Sequence, residues 1–233
     1  MATQLNQNTT DLRALLEAVI ALPEAGSGEG SGGEDGTVKS IIDRTLTDIE
    51  LPSGLTKIGD YAFAGMSNLN SVSIPNGVTS IGVNAFLASS IKTVSLPNTL
   101  TVIDRYAFGG CANLSLESLP SNLTIIDSLA FSGCTSLALT SLPEGITNIG
   151  SNAFRDCAGL TTLTFEGTPT FIGASAFGNC PNLTTINVPW AEGEVANAPW
   201  GATNATINYN YTEGTTASEL DAPEIYLDDG GEQ

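Results

Sequence analysis

The sequence predicts an α/β repeat solenoid: a coil of 22–23-residue repeats, each with two short strands and one helical turn, preceded by an N-terminal helix. Three observations predict it. Ala-Phe recurs with Phe63, Phe86, Phe108, Phe131, Phe154 and Phe177, at an interval that is constant except for one position lost between Phe86 and Phe108. Ile stands five residues before each Phe, from Ile58 to Ile172, and is always followed by Gly or Asp. Six residues after most of them stands Leu (Leu69, Leu114, Leu137, Leu160, Leu183); Ile91 takes the place in the repeat that is one residue short. So short a repeat cannot bury its own apolar side chains. Stacked coils align them into interior ladders, with a rise near the strand spacing of ~4.8 Å.

The elements follow in chain order. Asn8-Thr9-Thr10-Asp11 opens a helix within residues 1–25, and Pro23 ends its apolar run. Leu5, Leu12, Leu15, Val19 and Leu22 fall on heptad a and d positions, with Leu16 beside them and Asn8 as a polar member. These six apolar residues are candidates for oligomerisation or anchoring. The stripe pairs with copies of itself, docks on another protein, or folds back over the first coil. Residues 26–37 form a linker of Gly, Ser and acids that reads as flexible. Residues 38–211 are the solenoid with its caps. Leu46, Ile49, Leu51 and Pro52 stand one full repeat before Leu69, Val72, Ile74 and Pro75, so 38–52 is an incomplete first coil.

Within a full coil, Leu69 to Ile74 alternates and is β-branched, which predicts a strand. Pro75-Asn76-Gly77 is a turn, and Val78 to Ile81 a second short strand. Gly59 supplies a bend, and Asp60 to Gly65 reads as one helical turn capped by its acid. Trp190 to Tyr211 is an altered seventh coil, because Trp200 stands one full repeat after Phe177. Its Asn204–Tyr211 stretch reads as a polar edge strand that stops end-to-end pairing. Residues 212–233 form an acidic tail that reads as disordered.

Composition narrows function. Lys and Arg number 7 against 25 Asp and Glu, a formal charge of −18, which repels nucleic-acid phosphates. Residues 1–37 carry a net −5, 38–211 a net −6 and 212–233 a net −7. There is no histidine, which removes Ser-His-Asp and Cys-His catalysis and His-ligated metals. The start has no basic residue and no apolar core of a secretory signal, and the longest apolar run, Ala18 to Leu22, is too short for membrane insertion. Cys111, Cys134, Cys157 and Cys180 each stand three residues after a motif Phe, with Met66 and Ser89 in the earlier repeats. They read as rungs of one interior ladder with free thiols, and a straight ladder cannot converge on a metal. Asp104 and Asp127 hold the Gly position in adjacent repeats. They form either Asx-type turns or a close pair with one raised pKa. The expectation is no enzyme, no cofactor and no metal.

What remains is surface. Asn70, Ser71, Ser73, Lys92, Thr93, Ser95, Thr161, Thr162, Thr164, Thr184, Thr185 and Asn187 flank the apolar strand positions. They make a hydroxyl-rich, nearly uncharged face. It either binds a host-surface protein or glycan by hydrogen bonds or is a neutral solvated face. Trp190, Trp200, Tyr209 and Tyr211 either stack on sugars or pack in the core and cap.

The run Ile149-Gly150-Ser151-Asn152-Ala153-Phe154-Arg155-Asp156-Cys157-Ala158-Gly159-Leu160 closely resembles the repeat of the BspA-like leucine-rich repeat family, and the match covers about residues 46–189. The resemblance implies a right-handed leucine-rich-repeat coil and a history of surface and adhesion proteins of bacteria, their phages and some protists, hence binding rather than chemistry. The segment Val188 to Gly201 resembles the ends of proteins of phages and prophages of Gram-positive gut bacteria. The short helix and acidic linker look like the attachment segment of phage tail accessory proteins. These resemblances imply a tail-linked virion component that joins other virion proteins or its own copies through the helix. The alternatives are a bacterial cell-surface adhesin and a purely structural decoration module. Localisation is accordingly the virion, or otherwise the bacterial surface or cytoplasm.

Overall fold

The computed structural model describes residues 47–51 and 53–212. The predicted N-terminal helix with Leu5, Leu12, Leu15, Leu16, Val19 and Leu22, the linker, residues 38–46 and the tail from 213 lie outside the described residues. What is described is a parallel β-solenoid of about seven turns.

Its strands are β1 (Asp48–Glu50), β2 (Lys57–Ile58), β3 (Ser71–Ser73), β4 (Ser80–Ile81), β5 (Thr93–Ser95), β6 (Val102–Ile103), β7 (Ile125–Ile126), β8 (Ser141–Leu142), β9 (Asn148–Ile149), β10 (Thr162–Phe165), β11 (Phe171–Ile172), β12 (Thr185–Asn187) and β13 (Thr206–Asn208). Every pairing is parallel and joins one coil to the next. The second strand of each coil builds one continuous sheet, ordered β2-β4-β6-β7-β9-β11. The first strand builds a face that is broken in two: β1-β3-β5 and β8-β10-β12-β13.

The break has a local cause. The inward places that Val72, Val94, Leu163 and Ile186 fill are occupied in the two intervening coils by Glu117 and Thr140, both exposed, and the Glu117 coil is the one without a strand. Its leucines sit at Leu116 and Leu119 and are only half-buried. A charged side chain cannot enter the core, so period-2 alternation fails and no strand forms over 115–119. The prediction of two strands in each coil is corrected there.

The interior ladders form as the period demands. Neighbouring rings from Phe63 to Phe177 stack at centroid distances of 4.9, 4.9, 5.3, 5.4 and 5.4 Å. Phe86 to Phe177 are fully buried, as are Ile81, Ile103, Ile126 and Ile149. Removing one such ring costs about 3–5 kcal/mol.

The predicted helical turn is corrected: among the described residues there is no helix. Residues two before each Phe have positive φ, as at Tyr61 (59°), Leu129 (61°) and Asn152 (57°). Those two after it do as well, as at Gly65 (68°), Gly133 (77°) and Asp156 (60°). Left-handed residues twice within five positions exclude an α-helix. The hydrogen bonds explain the choice. Amides alternate between a tight turn within the coil (Ala62 N–H to Gly59 C=O, 3.3 Å; Ala64 N–H to Tyr61 C=O, 3.1 Å) and the next coil (Tyr61 N–H to Val83 C=O, 3.0 Å; Phe63 N–H to Ala85 C=O, 2.6 Å). A helix would keep every amide inside its own coil and leave the stack unzipped on that side. Asp60 is not a helix cap; its Oδ1 accepts the Val83 N–H of the next coil at 3.0 Å.

Candidate functional site

The three-stranded part of the first face positions the N-terminal group of candidates. Parallel register places Asp48 beside Ser71 beside Thr93, and Glu50 beside Ser73 beside Ser95. Alternation turns Ile49, Val72 and Val94 into the core and these six side chains outward. Together they line a shallow concavity of about 560 Å³. Lys92 is exposed beside it. Asp48 organises its rim, accepting from Ser71 Oγ (2.5 Å), Asn70 Nδ2 (3.0 Å) and Thr47 Oγ1 (2.9 Å). These donors, with the Lys92 charge adding to them, hold the carboxyl below its ordinary pKa. Glu50, Ser73, Thr93 and Ser95 project into solvent.

The C-terminal group is arranged differently. Thr162 is exposed, while Thr164 and Thr185 are half-buried. Asn187 is buried at 7% exposure, which corrects its placement on an exposed face. Its Nδ2 donates to Thr164 Oγ1 at 3.2 Å, and its Oδ1 accepts from Asn208 Nδ2 at 2.8 Å. This row is an internal ladder between coils. Thr161 and Thr184 are exposed at its edge, where the Thr184 hydroxyl donates to the Thr161 C=O at 3.4 Å. The structure therefore does not bring the twelve predicted residues together. It divides them into an outward patch and an inwardly bonded one, separated by the coil that lacks a strand.

Two members of the outward patch escape the sequence reading: Asp48 and Glu50. The signal is present, since they stand one full repeat before Ser71 and Ser73, but within an incomplete coil it points only to a cap. A second missed pattern is threonine seven residues before every Phe, from Thr56 to Thr170. Thr79, Thr101, Thr124, Thr147 and Thr170 each donate Oγ1 to the carbonyl of the threonine one coil earlier, at 2.9–3.2 Å. This row zips the stack beside the six-stranded sheet.

The other candidates resolve into packing. The four thiols are buried, and each donates to the Phe carbonyl of the preceding coil: Cys111 to Phe86, Cys134 to Phe108, Cys157 to Phe131 and Cys180 to Phe154, at 3.0–3.1 Å. Burial pushes Cys111 up to about 11 and the other three upward as well, so none is a thiolate nucleophile at neutral pH. Trp190 and Trp200 are buried, so neither presents a stacking platform. They close the core against Phe165, and Trp200 Nε1 donates to Ala196 C=O at 2.8 Å. Asp127 Oδ1 accepts the Ser128 N–H at 2.5 Å, one residue on rather than the two of an Asx turn. Partial burial raises the pKa of Asp104; the Lys57 charge opposes this, and Asp127 and Asp60 reinforce it. Among the described residues no group of His, Cys, Asp and Glu is placed to hold a metal. No described helix is long and apolar enough to cross a membrane.

The solenoid is similar to solved bacterial structures. It matches a leucine-rich repeat protein from Bacteroides ovatus at 28% identity and a TM-score of 0.54, over 60% of this chain and 39% of that one. It matches the leucine-rich repeat protein of T. pallidum at 31% identity and a TM-score of 0.54, over 60% and 71%. The pneumococcal vaccine antigen PcpA shares the fold at 22% identity and a TM-score of 0.51, over 70% and 41%. The chain thus spans under half of the Bacteroides ovatus and pneumococcal chains. No curated protein matches it significantly. The BspA type leucine-rich repeat region matches in six copies over residues 42–157 and 113–191, more than half of the sequence. With the stacked Phe, Ile and Leu ladders in register over the same residues, the chain belongs to the BspA-type leucine-rich repeat family.

Proposed function

We propose that this chain is a non-enzymatic recognition protein that presents the β1-β3-β5 concavity to a ligand on a host surface, as a tail-linked component of a phage or prophage virion. The observation that carries the binding role is the division of labour in the solenoid. Interior groups are occupied by the ladders, whereas Glu50, Ser73, Thr93 and Ser95 face solvent around a concavity on a rigid sheet. The virion setting rests on the likeness of residues 188–201 to phage-encoded ends. Binding of the labelled full chain to candidate host cells tests the site. Ser73→Arg and Thr93→Arg lower binding at least tenfold without moving the unfolding midpoint, while Thr162→Arg leaves it unchanged. Equal binding by all three variants overturns the assignment. Immunoblotting of purified particles tests the setting.

A bacterial cell-surface adhesin is the second reading, in line with what the BspA-type repeat implies. Chain recovered in the cell-envelope fraction rather than in particles supports it.

A further inference from the structure

We infer that Asn76 is a self-modification site: attack by the Gly77 backbone nitrogen converts its side-chain amide to a carboxyl, at a rate set by Thr99 of the next coil. Asn76-Gly77 is the sole Asn-Gly pair in the sequence. It sits on the turn between β3 and β4, which the Val78 N–H closes by donating to Pro75 C=O at 3.4 Å. Gly77 has a φ of 106°, where L side chains rarely go, so the third residue of this turn is glycine. The same missing Cβ leaves the Gly77 nitrogen open to a neighbouring carbonyl carbon. Both residues are exposed, and among the described residues the Asn76 side chain makes no hydrogen bond. The next two turns of the row lack this combination. Asn98 precedes the branched Thr99, and Asn122 precedes Leu123 and donates its Nδ2 to Asn98 C=O at 2.8 Å.

The reaction needs only water. The Gly77 nitrogen gives up its proton and bonds to Asn76 Cγ, closing a five-membered succinimide. The bond from Cγ to the side-chain nitrogen breaks, and that nitrogen leaves as ammonia with the proton. Water then adds to either ring carbonyl and opens the ring. One opening gives aspartate. The other gives isoaspartate, in which the main chain runs through the side chain and is longer by one carbon. No group is oxidised or reduced. Thr99 restrains the first step. The Gly77 N–H donates to Thr99 Oγ1 at 3.0 Å. The Thr99 hydroxyl directs its own proton to Val78 C=O at 2.8 Å, which leaves a lone pair for Gly77. Attack must break this bond before the nitrogen can turn on Asn76. A contact between two coils thus acts as a brake on chemistry in the turn.

Peptide mapping by mass spectrometry tests this on the full chain, held in mildly alkaline buffer beside a synthetic peptide of residues 74–78. The expected result is a product at position 76 that carries a carboxyl in place of the amide and is labelled by an isoaspartyl methyltransferase. It forms more slowly in the chain than in the peptide. Thr99→Val speeds it about fivefold, the equivalent of the ~1 kcal/mol of an ordinary hydrogen bond. Thr101→Val removes a like bond, from Oγ1 to Thr79 C=O at 3.1 Å, without touching Gly77, and leaves the rate unchanged. Asn76→Gln, whose longer side chain would have to close a six-membered ring, abolishes the product. A wild type that reacts as fast as the peptide overturns the inference. So does a Thr99→Val chain that forms no product while the peptide reacts. Equal acceleration by both threonine variants overturns it too, because general loosening of the stack would then set the rate.

Discussion

The two halves of the first face are built from one motif and put it to opposite uses. In β1-β3-β5 the outward positions hold short hydroxyls and carboxylates, and only Asp48 draws its neighbours into a hydrogen-bond cluster. In β8-β10-β12-β13 the corresponding row holds Thr164, Asn187 and Asn208, and the two asparagine side chains are long enough to reach back to the preceding coil. The difference lies in side-chain reach across a rise of about 4.8 Å. Serine cannot bridge it to a side chain of its own length, whereas an asparagine amide can both donate and accept. The repeat backbone is thus neutral about function. Residue length at one position decides whether a coil bonds to its neighbour or stays open to a ligand.

The largest effect expected from breaking this contrast is at the closed end. Trp200→Ala removes a buried indole, its bond to Ala196 and its packing on Phe165. A loss of about 3–5 kcal/mol is expected. Hydrogen exchange should show it confined to the coils around β10–β13, because each coil contacts only its neighbours. Equal loss of protection in β1–β5 would refute that confinement. A smaller effect is expected from Asn187→Ala, which leaves the amide of Asn208 without its acceptor; about 1–2 kcal/mol is the usual scale. Ser73→Ala on the open patch, by contrast, should stay within about 0.5 kcal/mol in the same denaturant titration.

The ladders were legible because every coil repeats the same interior demand, and Phe, Ile, Leu and Cys recur at fixed offsets. The turn after Gly59 was not. Its apolar spacing suits a helix as well as it suits a chain of tight turns, and positive φ at residues such as Tyr61 and Leu129 leaves no mark in composition. The broken face was visible only in part. Glu117 stands where a core residue belongs, but reading this needs the register of neighbouring coils. The candidate site was legible as a set of hydroxyl positions and not as a site. Asn187 reads as exposed within its own repeat, and only the contacts with Thr164 and Asn208 bury it. Asp48 and Glu50 were obscured because the first coil departs from the motif before them.

The subtlest expected difference is in acid response, where two carboxylates of opposite environment separate the open patch from the bend beside the other sheet. Asp48 is held below its ordinary value of 3.8 by the donors of the open patch. A depressed carboxyl adds stability that is present above the unfolded pKa and lost as pH falls through the folded one. Asp48→Asn should therefore lower the unfolding midpoint at neutral pH, and the gap to wild type should close on acidification below about pH 4. Asp104 carries the opposite sign. Partial burial raises it above 3.8, so its ionised form is disfavoured in the fold. Its contribution is complete below the unfolded pKa and disappears as pH rises through the folded one. Asp104→Asn should accordingly raise the midpoint at neutral pH, again converging with wild type in acid. Both sites are substantially exposed, so solvent screening keeps the shifts small. Their opposite directions in paired denaturant titrations at neutral and acid pH are the informative result. Shifts of the same direction would mean that the Asp48 cluster does not favour its charge, and that the open patch lacks the polarity assigned to it.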